Sequence, residues 1–92
     1  MILLNAAPAG NGAADPCRNL NKYNYLYTLY VFGTFDGATF TLEVTPDNGT
    51  TWFTVPSTNV TVKSVMNVEF KATHVRGVVT GGTAPAINAV LI

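Results

Sequence analysis

Ala38-Thr39-Phe40-Thr41-Leu42-Glu43-Val44-Thr45 alternates without a fault: Ala38, Phe40, Leu42 and Val44 fall on one side of an extended chain, Thr39, Thr41, Glu43 and Thr45 on the other. Successive side chains of a β-strand point to opposite faces, so this two-residue period marks a strand with one face in a core and one toward water. The next residues, Pro46-Asp47-Asn48-Gly49, are turn formers, and Thr51 to Val55 reads as a short returning strand. Upstream, Asp36-Gly37 is a tight-turn dipeptide of the kind that closes hairpins.

Outward from this stretch the same rhythm continues. Tyr23, Tyr25, Tyr27, Leu29 and Val31 share one face of a preceding strand, and Asn24, Leu26, Thr28, Tyr30 and Phe32 share the other. Both faces are largely apolar or aromatic, which predicts a strand covered on both sides, ended by Gly33. After a turn at Pro56-Ser57-Thr58, Val60 and Val62, then Met66, Val68 and Phe70, keep the period, with Asn67, Glu69 and Lys71 opposite. His74 to Thr80 and Ile87 to Leu91 complete the set across a Gly81-Gly82-Thr83-Ala84-Pro85 loop. No segment carries a helical period, so the expected fold is all-β: one small antiparallel β-sandwich or flattened barrel.

The first 22 residues read differently. Ile2-Leu3-Leu4 is a short apolar run, and residues 5–19 are rich in Ala, Gly, Asn and Pro, a composition suited to an extended loop. The expected organisation is an N-terminal arm over residues 1–22 and a sandwich domain over 23–92. A chain lacking residues 1–16 is then expected to fold.

Composition narrows the function. The 92 residues are 48% apolar, enough for one core, but only 11% charged, with five basic and five acidic side chains and no net charge. Average soluble domains carry roughly 25% charged residues, and net charge normally keeps small proteins apart. So few charges on a small β-protein point to a surface covered by partners, the alternative being a monomer whose Thr and Asn residues supply enough hydration. Arg18, Lys22, Lys63, Lys71 and Arg76 are scattered, with no basic stripe to engage a nucleic-acid backbone. The N-terminal run is too short for a signal peptide and no run is long enough to span a membrane, which predicts synthesis in a cytoplasm.

Candidate chemistry is sparse. Cys17 and His74 are the sole cysteine and histidine, and neither sits in a nucleophile or metal-ligand pattern. Asp36 and Asp47 are accounted for as turn residues, leaving Asp15, Glu43 and Glu69 without a paired-carboxylate arrangement. No catalytic residue, metal or cofactor is called for. The sharpest motif is Thr45-Pro46-Asp47-Asn48-Gly49-Thr50-Thr51-Trp52, which matches the Asp-box pattern Ser/Thr-x-Asp-x-Gly-x-Thr-Trp; Thr45, Asp47, Gly49 and Trp52 are read as a structural hairpin clip. Tyr23, Tyr25 and Tyr27, with Ile2, Leu3 and Leu4, are the candidate interface residues, since Tyr combines apolar area with a hydroxyl. The tyrosine row could also serve as a sugar-stacking platform.

The run Gly33-Thr34-Phe35-Asp36-Gly37-Ala38-Thr39-Phe40-Thr41-Leu42-Glu43-Val44, continued by the clip and by the closing Val75-Arg76-Gly77-Val78-Val79-Thr80-Gly81 strand, resembles a segment of small virion proteins of tailed phages. The resemblance covers the chain from Gly33 onward. It implies a non-enzymatic structural protein of the virion, most nearly a capsid cement or decoration protein. Its partners would be the major capsid protein and further copies of itself, as a trimer or dimer. The alternatives are a neck, tail or fibre component and, in another class, a carbohydrate-binding module. The arm would reach across to a neighbouring subunit.

Overall fold

A computed structural model describes residues 1–20 and 25–92. Among these described residues nine strands are ordered β1 (Ile2–Ala7), β2 (Gly10–Asn11), β3 (Asp15–Pro16), β4 (Leu26–Thr34), β5 (Ala38–Thr45), β6 (Phe53–Thr54), β7 (Ser64–Glu69), β8 (His74–Gly81) and β9 (Ala86–Leu91), with one 3-10 turn at Cys17–Asn19. They form two antiparallel sheets, β1-β9-β4-β7 and β2-β8-β5-β6, with β3 also on β8. The fold is the expected small β-sandwich. Its core is filled from the inner faces by Tyr27, Leu29 and Val31 of β4, Ala38, Phe40 and Leu42 of β5, Val75 and Val79 of β8, and Ile87, Ala89 and Leu91 of β9. Among the described residues no helix is long and apolar enough to cross a membrane.

The N-terminal segment is not an arm. β1 pairs with β9, and Leu3 and Leu4 both enter the core although they are adjacent. The reason is a register shift between Ile2 and Leu4: a bulge puts an extra residue into the strand and lets two neighbours turn inward. The chain then crosses to the other sheet, where β2 and β3 run along β8. The Gly-rich composition read as an extended loop serves this close passage. Gly12 N–H donates to Gly77 C=O at 2.7 Å, and a Cβ on Gly12 would lie 2.8 Å from that oxygen. The radius of gyration, 12.1 Å, equals the roughly 12 Å of a compact chain this long.

The Asp36-Gly37 turn also differs from expectation. Both residues have positive φ (50° and 87°) and Ala38 N–H donates to Phe35 C=O, so the tight turn is present. It does not close a hairpin, because β4 and β5 belong to different sheets. The turn is a corner between layers. It is held by the second corner, β8 to β9: Thr83 N–H donates to Asp36 C=O and Ala84 N–H to Asp36 Oδ2.

Candidate functional site

The clip lies at the turn of the β5–β6 hairpin. Thr45 Oγ1 donates to Asp47 Oδ1 at 2.7 Å and accepts from Gly49 N–H at 3.0 Å, while Asp47 Oδ1 also accepts from Thr51 N–H at 2.8 Å. Alternation assigned Thr45 to the solvent face, yet it is fully buried, because the turn folds back over its hydroxyl. Thr73 ties the clip to β8: its N–H and hydroxyl both donate to Thr45 C=O, and its hydroxyl accepts from Asn48 N–H. Arg76 lies 4.0 Å from the centre of the Trp52 ring and makes a 2.7 Å ion pair with Glu43. One face of the indole is therefore occupied by a guanidinium, a cation–π contact that braces β5, β8 and the turn together.

The Thr45 hydroxyl and the Thr51 N–H hold the Asp47 carboxyl below its ordinary range. A carboxylate with a lower pKa folded than unfolded binds fewer protons in the folded state, so its stabilisation is complete above the unfolded value and is lost as pH falls through the folded one. Asp47→Asn is expected to lower the melting temperature at neutral pH, and the gap from wild type should close in strong acid. A gap independent of pH would remove the charge from this account.

Tyr25 and Tyr27, the described members of the tyrosine row, do not share one exposed face. Tyr27 is in the core, its ring 4.7 Å from that of Phe70, and burial, followed by Cys17 and Tyr25, raises its phenol above the ordinary range. Tyr25 departs from strand geometry (φ 59°) and lies under the Lys71 ammonium, 5.3 Å from the ring centre. Tyr23 lies outside the described residues. Leu3 and Leu4 are core residues, so of the described candidate interface residues only Ile2 and Tyr25 are exposed.

The potential catalytic groups are dispersed. Cys17 packs in the core, whereas His74 is half-buried with Nδ1 at Thr73 Oγ1. Asp36 and Asp47 sit in their turns, Glu43 is paired with Arg76, and Glu69 is exposed on β7. Among the described residues no group of three or more His, Cys, Asp and Glu side chains could hold a metal ion.

The surface that stands out is the outer face of the β1-β9-β4-β7 sheet. Strand β4 was expected to be covered on both sides; Tyr27, Leu29 and Val31 are covered, but Leu26, Tyr30 and Phe32 on the other side are exposed. Register makes the exposure continuous. Ile2 faces Val90, Val90 faces Tyr30, and Tyr30 faces Val65, so one apolar row crosses all four strands. Ile2 is 67% exposed, Val65 62%, Tyr30 41% and Phe32 41%. A shallow groove of about 420 Å³ opens beside the row between Tyr30, Phe32, Lys63 and Val65. Uncharged polar pairs flank the middle of the row, Thr28 donating to Asn67 Oδ1 on one side and Asn88 Oδ1 accepting from Ala6 N–H on the other, while Lys63 and Glu69 lie near the two ends of β7. Isolated exposed apolar residues are ordinary, so the contiguous band is what sets this surface apart from the rest of the molecule. This face can exclude water against a complementary surface.

Sequence reasoning missed the row because it read the second face of β4 as internal. The signal lay in plain view: Tyr30 and Phe32 are apolar positions on a strand whose other face already supplies the core. Comparison with known proteins returns no match, whether to a family model, a curated protein or a solved structure.

Proposed function

We propose that this chain is a non-enzymatic structural protein of a phage particle, a capsid cement protein that seals the outer face of its β1-β9-β4-β7 sheet against shell subunits. The observation that carries the reading is the uncharged apolar row Ile2–Val90–Tyr30–Val65, unbroken across four strands. A charge content of 11% with no net charge agrees with a protein that spends its life covered. The virion setting rests on the likeness of residues 33–52 and of the closing strands to small virion proteins of tailed phages. Burial of Ile2, Tyr30, Phe32 and Val65, all exposed in the isolated chain, would contribute roughly 1 kcal/mol each.

The test is addition of the purified protein to particles assembled without it. Wild-type protein should bind and raise the temperature at which the heads rupture. The double variant Ile2→Asp/Tyr30→Asp should keep its circular dichroism, since both residues are exposed, and bind at least about a hundred-fold more weakly, as expected for two central contacts replaced by buried charges. Wild-type binding by the double variant, or absence of the protein from purified particles, would reject the proposal. A copy number matching the capsid subunit indicates cement; a ring-sized number indicates neck or tail.

A further inference from the structure

Two sheets present four edges, and an open edge is a template for another strand unless something blunts it. Three edges here are blunted. β1 has two register shifts against β9 and a positive φ at Ala6. Along β8, β2 and β3 are two residues each, and β3 ends in Pro16. Beyond β5, β6 is two residues long, while Leu42 N–H is taken by Thr58 Oγ1 and Phe40 pairs with Val60. β7 is different. Its six residues pair with β4 without a shift, include no proline or glycine, and among the described residues pair with nothing on the other side.

One bond sets the direction of its free backbone groups. Phe70 N–H donates to Tyr25 C=O at 3.1 Å, in register with the β4–β7 ladder. Backbone groups alternate along a strand, so Ser64, Met66 and Val68 turn theirs to β4, and Val65, Asn67 and Glu69 turn theirs to the open edge. The same three residues carry exposed side chains on the outer face.

We propose that β7 pairs with β7 of a second copy of this chain, antiparallel, about a two-fold axis at Met66. Open-edge residues must face open-edge residues, so the axis can fall on one residue or the next, and charge chooses among these registers. At Met66, Lys63 of each copy faces Glu69 of the other, and Val65 faces Asn67. An axis at Asn67 would set Lys63 against Lys71 and Val65 against Glu69. An axis at Val65 would leave Glu69 opposite Thr61 and Lys63 opposite Asn67. Directly opposed charges of unlike sign favour a strand pair, and like charges oppose it. The pairing joins two four-stranded sheets into one and carries the apolar row from each copy toward the other. It deepens the docking proposal without depending on it, because it is measured on the isolated protein.

Sedimentation velocity of the full chain at low ionic strength, over a range of concentrations, tests it. The wild type should dimerise. Lys63→Glu or Glu69→Lys alone should raise the dissociation constant at least about ten-fold, since each turns two opposite-charge pairs into two like-charge pairs. The exchange Lys63→Glu/Glu69→Lys should restore it, a recovery that damage to the fold could not produce. Val65→Pro, which removes an N–H facing the open edge and not β4, should be a monomer with unchanged circular dichroism. Ile2→Asp/Tyr30→Asp should still dimerise, so a failure of shell binding and a failure of pairing are separable. A wild type that stays monomeric at millimolar concentration overturns the proposal, as does a dimer indifferent to both the charge exchange and Val65→Pro.

Discussion

Removal of residues 1–16 is expected to leave a chain that does not fold. Those residues supply β1, which is the edge strand on β9, together with β2 and β3, which cover the outer edge of β8. They also supply Leu3 and Leu4, both buried in the core, and the terminal ammonium that donates to Leu91 C=O at 2.7 Å. Losing a buried leucine costs about 2–5 kcal/mol even when the backbone stays in place. Two of them amount to about 4–10 kcal/mol, and a domain of this length holds only about 5–14 kcal/mol in total. The truncation also exposes the apolar inner side of β9 and the edge of β8, so the product should aggregate. Far-UV circular dichroism and a proton–nitrogen correlation spectrum of residues 17–92 would decide it. A dispersed, native-like spectrum would show that the sandwich stands without its first strands.

Phe40→Ala is expected to cost about 3–5 kcal/mol, read as a drop in the urea midpoint, since a large aromatic is removed from a site with little freedom to collapse. Phe40 is fully buried at the centre of β5, paired to Val79 on one side and bridged to Val60 on the other. Its ring occupies the space that a side chain on Gly77 would need: a Cβ there would lie 2.9 Å from Phe40 Cε2 and 3.0 Å from Leu4 Cδ1. Gly77 is thus the gap in β8 across which the first strand and the centre of β5 come together. A coupled outcome follows. Gly77→Ala should destabilise the wild type, and should be much less harmful, or helpful, in the Phe40→Ala background, where its methyl fills part of the cavity. Equal effects in both backgrounds would contradict this packing, and a cost for Phe40→Ala below about 1.5 kcal/mol would mean that the site collapses.

Much of the fold was legible without coordinates because the β-sandwich is written in local chemistry. The two-residue alternation of residues 38–45 located β5 and its inward Phe40 and Leu42, and Thr45-x-Asp47-x-Gly49 located the β5–β6 hairpin, since a clip of this kind is made by groups within a few residues of one another. The period of residues 66–70 likewise placed Met66 and Val68 toward the interior and Asn67 and Glu69 toward water.

What lay beyond the sequence alone depends on partners distant in the chain. Nothing in Asp36-Gly37 tells a hairpin from a corner, because the turn is the same and only the strands it feeds, one to each sheet, differ. Leu3 and Leu4 could be assigned to the core only once β9 was known to pair with β1 and a bulge to turn both inward. The candidate interface moved for the same reason: alternation sorts residues onto two faces but does not say which face another layer covers. Strand β4 has apolar residues on both faces, and the β2-β8-β5-β6 sheet can cover only one of them. Tyr27 went inside, and Tyr30 and Phe32 were left with Ile2 and Val65 as an apolar band across four strands. Local side-chain chemistry determined which segments are strands and how the clip closes; long-range pairing alone decided which apolar faces meet each other and which one remains exposed.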